Sequence, residues 1–197
     1  MADITIDQHD TRIVARPQPI GGFGLPAGYL LLPDDPEVDE VRAALIDGKL
    51  PEAFPASLEF YRHALDGDID ATLAAISGDG LVARINRFVL DPATDDLELL
   101  LADLQSLVAA GAPDAIELRT HVETLAFIVG MRAMPPAVGA ATGEFAALVY
   151  AAQATAALES QRSGDAIAAL EAAALAARGV SSARTGQLMG QLANVQL

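Results

Sequence analysis

Three carboxylates recur at alternate positions in Asp66-Gly67-Asp68-Ile69-Asp70. Calcium loops open with this spacing, because oxygens two residues apart can wrap a hard cation. The rest of such a loop is missing. Ala71 stands where the turn requires Gly, and Ser77 stands where a bidentate Glu closes the shell. Asp66 at a helix end and Asp68 as a cap account for the run without an ion, so no metal site is expected. The three histidines, His9, His63 and His121, form no His-x-x-x-His pair, so no two of them share a helical face as zinc ligands. His63 and His121 each follow a glutamate by four residues, Glu59 and Glu117 respectively. Such a pair is either an acid/base couple in a cleft or a surface helix pair, and the surface pair is the expected role. A pocket near His63 or His121 is the route by which this chain would be an enzyme or a small-molecule-binding protein.

Other chemistries find no motif. The sequence has no Gly-x-Ser-x-Gly elbow for a nucleophile. The glycines from Gly22 to Gly28 enclose Pro26 and lack the spacing of a dinucleotide turn, and Gly139 to Gly143 lacks the Lys of a phosphate loop. Both stretches read as connectors, and neither a cofactor nor a catalytic residue is expected. Arg84 and Arg87 stand one helical turn apart with Asn86 between them. On a helical groove also lined by Tyr61, that pair could clamp a carboxylate such as a peptide C-terminus, or it could be a solvated face offsetting nearby acids. Near the end of the sequence Leu188, Met189, Leu192 and Val195 form an apolar stripe. It either docks back as a cap on the helices or meets a partner, including a second copy of the chain.

Composition narrows the class. Of 197 residues, 52% are hydrophobic, 20% are charged and only 5% are aromatic, with no Trp. That is too apolar for a disordered chain, and an Ala-rich aliphatic core suits close-packed helices better than sheets. The formal charge of −15 repels phosphate backbones and anionic lipid surfaces, so neither nucleic acid nor membrane is an expected partner. With no cysteine there is no disulfide and no thiolate chemistry. No basic run followed by an apolar run opens the sequence, so the expected location is cytoplasmic.

The elements that must position these residues are mostly helical. Residues 1–33 read as an irregular arm, with short strands at Ile4–Ile6 and Arg12–Ala15 on either side of Asp7–Asp10. The arm is then broken by Pro17, Pro19, Gly21, Gly22, Gly24, Pro26 and Gly28, and Ile20, Phe23, Leu25, Tyr29 and Leu30 are available to pack on helices. Residues 34–197 read as one helical domain, opened by Asp35-Pro36-Glu37 and punctuated by glycines. The sixth helix is expected to run from Pro113 to about Ala133, stopped by Pro135-Pro136. The next two helices flank Ser163-Gly164-Asp165, where Gly164 is expected to end one helix left-handed and Asp165 to cap the other. A ninth helix follows from about Ser181.

The last hairpin, about residues 145–178, resembles the tetratricopeptide-repeat family, with Ala157 at the small position of its first helix and Gly164, Asp165, Ala169 and Ala176 at family positions. Ala173 falls where a larger apolar residue is usual, Ser160 where an aromatic is usual, and no Pro closes the unit. The other joints, Asp47-Gly48-Lys49, Asp66-Gly67-Asp68 and Ala110-Gly111-Ala112, match in style but not at a constant interval. The resemblance implies a stack of antiparallel helices and an interaction role. The expected fold is therefore all-α, with eight or nine antiparallel helices and an extended N-terminal arm. The expected function is a non-enzymatic adaptor or regulatory module that binds a protein or peptide, with Tyr61, Arg84, Arg87, Leu188, Met189 and Leu192 as contact residues. The alternatives are the pocket protein above and a structural homo-oligomer joined through the C-terminal helix.

Overall fold

From Asp39 to Gln196 helix follows helix: α1 (Asp39–Ile46), α2 (Glu59–Leu65, entered through a 3-10 turn at Ala56–Leu58), α3 (Ile69–Ala75), α4 (Leu81–Leu90), α5 (Leu97–Ala109), α6 (Ala115–Ile128), α7 (Gly143–Glu159), α8 (Ser163–Ala177) and α9 (Ser182–Gln196). The computed structural model describes residues 13–15, 29–33, 39–46, 49, 52–93, 96–112, 114–179 and 182–196. Among them the fold is all-α apart from one two-stranded ribbon, and no helix is long and apolar enough to cross a membrane. In the ribbon, β1 (Ile13–Ala15) pairs antiparallel with β2 (Leu31–Pro33), Val14 lying opposite Leu32. The strand expected at Arg12–Ala15 is present over Ile13–Ala15 and pairs with residues beyond the Pro/Gly-rich stretch. The Ile4–Ile6 strand, the contacts of Ile20, Phe23 and Leu25, the Asp35-Pro36-Glu37 start and the Gly48 joint lie outside the described residues.

The helix ends show one recurring device. After α2, α5 and α6, Gly67, Gly111 and Gly130 take left-handed backbone angles (φ +78°, +70° and +79°). Each gives its N–H to the carbonyl three residues back, and the residue after it reaches five back, as Asp68 N–H does to His63 O at 3.0 Å. This satisfies the carbonyls that a helix end leaves open. It also corrects two expectations. Helix α6 stops at Ile128, not near Ala133, because Gly130 turns the chain before the prolines are reached. At the last hairpin the left-handed residue is Gln161 (φ +58°), not Gly164. Arg162 N–H reaches Ala157 O at 2.8 Å, so α8 begins at Ser163 and Gly164 lies in its first turn. Asp165 pairs with Arg162 Nη1 at 2.6 Å.

The core forms three apolar clusters, and β2 stands between two of them. Strand alternation sends Leu31 toward Ile85, Phe88, Leu100, Leu104, Leu118 and Val122, while Leu30 and Leu32 face Val41, Leu58, Phe60, Tyr61 and Leu65. The three leucines are fully buried, so the end of the 1–33 segment is part of the core. Asn86 on α4 fixes that strand. Its Oδ1 accepts from Leu31 N–H at 2.8 Å and its Nδ2 donates to Leu31 O at 3.0 Å, with the side chain buried. The third cluster joins α7, α8 and α9 through Ala147, Ala154, Leu170, Ala173, Ala174, Ala177, Leu188 and Leu192. Alanines on both sides of the α7–α8 seam let the helices approach closely, and this is the most extensive helix pair. An alanine at position 173, fully buried there, fits that close approach.

Helix α9 carries Gly186 and Gly190 one turn apart, both exposed, with nothing beyond the adjoining residues and the helix's own backbone within 4 Å of where a Cβ would stand. Neither is needed for close packing or for a left-handed angle, so each only weakens the helix. Gly186→Ala and Gly190→Ala are each expected to raise stability by about 0.5–1 kcal/mol, read as a shift in urea midpoint at constant m-value. Destabilisation by either would show that the glycine serves a contact.

Candidate functional site

The residues nominated from sequence do not form one groove. Tyr61 is fully buried beneath Leu30 and Leu32 in the β2–α2 cluster, so it cannot line an open surface. Arg84 crosses to Asp103 on α5 (2.6 Å), while Arg87 turns to Gly78 O (2.8 Å) and Asp79 (3.5 Å) in the loop after α3. The two guanidinium groups are thus engaged with different elements, and Asn86 between them faces inward to β2. Leu188 and Leu192 are buried against α8, so the terminal stripe docks as a cap, and Met189 is the one nominated residue that stands clearly exposed. Asp68 caps α3 by accepting from Ala71 N–H at 2.9 Å, and Asp66 pairs with Arg62. Among the described residues no three acidic or histidine side chains converge on a common ion position.

The histidines part company. His63 stays near Glu59 on its own helix, 3.7 Å away. His121 does not pair with Glu117, whose carboxylate instead accepts from Thr142 N–H and Oγ1–H and so caps α7 from the neighbouring helix. His121 is buried, its Nε2 lies 2.9 Å from Tyr29 O, and its ring meets Phe145 edge-on at 5.6 Å. A carbonyl only accepts, so the neutral ring carries its proton on Nε2 and leaves Nδ1 bare, with no hydrogen-bond partner among the described residues. Burial lowers its pKa to about 4, with the Tyr29 hydrogen bond opposing and the Arg184 charge reinforcing that shift.

Tyr29, His121, Glu144 and Arg184 make up a buried polar group where the N-terminal segment, α6, α7 and α9 meet. Arg184 is only 6% exposed and Glu144 only 2%. The Arg184 guanidinium lies over the Tyr29 ring, 5.9 Å from its centroid, and its Nη1 donates to Gln187 Oε1 at 3.1 Å. Burial pulls the Arg184 pKa below its ordinary value, while Tyr29, Glu144 and Tyr61 act electrostatically against that shift. Burial likewise raises the Tyr29 pKa, and Arg184 opposes it. Glu144 sits in the first turn of α7, where the helix dipole favours a negative charge.

Beside this group opens a cavity of about 430 Å³. Tyr29 and Arg184 form part of its wall, with Phe127 and Ile128 from the end of α6, Leu148, Ala151, Ala152 and Thr155 from α7, and Gln187 and Leu188 from α9. Small side chains on this face of α7 leave the space that larger ones would fill. A second cavity of similar size lies under the Met134–Ala137 strap, which Gln153 Nε2 ties down through Pro136 O at 2.9 Å. Only the first has a deeply buried charged side chain on its wall. Arg184 and Glu144 escaped the sequence reading, although two signals pointed to them. Arg184 stands four residues before Leu188 and thus in phase with the buried stripe, and Glu144 interrupts a long run of small uncharged residues.

No protein-family model matches this chain, nor does any curated protein or solved structure. The site's chemistry must therefore be argued from its own residues.

Proposed function

We propose that this protein binds a small molecule in the cavity between α6, α7 and α9. The observation carrying the reading is Arg184, a guanidinium withdrawn from solvent and held over Tyr29 on the wall of a 430 Å³ space. Burying a charge is expensive, and a paired buried charge often adds little stability over an apolar replacement. A cavity of this size, walled by apolar and polar side chains together, has the dimensions of a ligand site. The reading corresponds to a pocket near His121, with His121 behind Tyr29 as a support.

A protein or peptide partner is the second reading, favoured by a different surface from the one nominated. Ile128 at the end of α6 and Val129, Met131 and Met134 just beyond it are all exposed, Met134 by 67%. This stretch borders both cavities. An adaptor surface there would replace the Tyr61–Arg84–Arg87 groove, and Met189 stands outside it on α9.

Native mass spectrometry of protein purified gently from lysate, with the neutral fluorophore N-phenyl-1-naphthylamine added in a parallel titration, tests both. The cavity reading expects saturable one-site fluorescence that Thr155→Trp, at the cavity wall, abolishes without loss of helical signal. Unsaturable fluorescence, or binding unchanged by that variant, would overturn it. A stoichiometric polypeptide retained with the protein, together with no saturable fluorophore binding, would favour the partner reading.

A further inference from the structure

We infer that the cavity takes a neutral carboxamide, its carbonyl oxygen held by Tyr29 and Gln187 and its N–H given to Thr155 on the α7 wall. This rests on the small-molecule reading above and names its ligand class. Charge on the wall argues first for neutrality. Arg132 is engaged with Glu98 at 2.5 Å, and Arg184 is held by Tyr29 and Gln187 with buried Glu144 acting on it. Glu159 adds a carboxylate to the same wall. An anion therefore meets no unengaged guanidinium and faces Glu159, while a cation faces both arginines. Either would give up hydration for little return, and a neutral head gives up less.

The neutral polar groups on the wall divide by hydrogen-bonding role. Gln187 accepts from Arg184 Nη1 through Oε1 at 3.1 Å, so its Nε2 is left to donate. Burial raises the Tyr29 pKa, which keeps the phenol protonated and able to donate, and the Tyr29 ring lies beneath the Arg184 guanidinium. Arg184 is thus a positioning residue, setting Gln187 and Tyr29 and taking no ligand itself. On α7 the role reverses. Thr155 Oγ1–H donates to Ala151 O at 3.1 Å, which leaves the hydroxyl oxygen to accept. Two donors and a separate acceptor match the two ends of an amide, whose carbonyl accepts and whose N–H donates. Phe127, Leu148 and Leu188 supply apolar surface for a hydrocarbon body.

Competition against N-phenyl-1-naphthylamine at neutral pH tests the inference, with octanamide, methyl octanoate, octanoate and octylammonium as displacers of matched chain length. In the wild-type protein octanamide should displace the fluorophore at about tenfold lower concentration than either ion. It should surpass methyl octanoate, which accepts but cannot donate, by about two- to tenfold, the range of one hydrogen bond. Tyr29→Phe keeps the ring beneath Arg184 and removes the hydroxyl. In that variant the affinity for octanamide, taken relative to that for the fluorophore, should fall by about two- to tenfold. If it does not fold, Gln187→Met carries the same comparison with the same expected fall. Octanoate or octylammonium as strong as octanamide would overturn the neutral head. Methyl octanoate as strong as octanamide would overturn the amide N–H, and an unchanged relative affinity in the variant would overturn the carbonyl contact. Each of these results leaves the cavity reading intact. Failure of the neutral fluorophore to bind the wild type would overturn the cavity reading, and this inference with it.

Discussion

Asn86→Ala is expected to destabilise the protein by about 2–5 kcal/mol, among the largest effects of any single polar substitution in this fold. The reason lies in what Asn86 leaves behind. Its amide serves both the N–H and the C=O of Leu31, at 2.8 and 3.0 Å, and the residue is buried. Alanine removes both partners at once and strands a buried donor and a buried acceptor, each costing about 1–3 kcal/mol. The damage falls on a strand residue that is itself buried between two apolar clusters. Asn86→Asp separates the two halves of the contact. An ionised aspartate still accepts from Leu31 N–H but opposes its carbonyl, whereas a protonated one can donate to that carbonyl. The deficit of Asn86→Asp relative to wild type should therefore shrink as pH falls. Urea unfolding followed by circular dichroism measures both variants. A loss under about 1 kcal/mol for Asn86→Ala would show that water or a shifted backbone replaces the amide.

Asn86 also shows where sequence reasoning ran out. Its neighbours Arg84 and Arg87 drew attention because two cations one turn apart form a recognisable spacing, while Asn86 looked incidental. Its role is set by Leu31, 55 residues away, and no local pattern encodes that pairing. Signals carried by a few adjacent residues were legible. Gly67 and Gly111 end their helices as expected, Asp68 caps α3, and the Leu188–Leu192 stripe identifies the buried face of α9. Gln161 was not legible, since a glutamine in the left-handed region is uncommon and Gly164 three residues on was the more obvious candidate. The candidate site lies at the far end of this scale. Tyr29, His121, Glu144 and Arg184 come from four separate parts of the chain, and only tertiary packing makes them neighbours. A glutamate four residues before His121 suggested a helix-face pair, but the histidine is turned into the core toward Tyr29, and Glu117 caps the next helix instead.

Burial of His121 gives the second large prediction, a loss of stability on mild acidification that disappears when the imidazole is removed. The ordinary histidine value is 6.5, and in the folded protein burial lowers it to about 4. Between these values the unfolded chain binds a proton that the folded protein refuses. Stability from this residue is therefore complete above about pH 6.5, falls as pH drops through that window, and is fully lost below about 4. A shift of this size corresponds to about 3 kcal/mol. The physical cause is visible at the ring. Protonation places a hydrogen on Nδ1, which has no acceptor among the described residues, and adds a positive charge in the field of Arg184. His121→Gln removes the titration while keeping an N–H that can donate to Tyr29 O. Its stability at any one pH will differ from wild type because the side chain is smaller, so the informative quantity is the change in that difference. Between pH 7 and pH 4 the wild type should lose about 3 kcal/mol more than His121→Gln, with carboxylate titrations common to both cancelling. Parallel stability curves would mean that the ring opens to water or finds an acceptor when charged. An acid loss confined to the wild type would identify the buried His121 imidazole as the acid-sensitive group where the N-terminal segment meets α6.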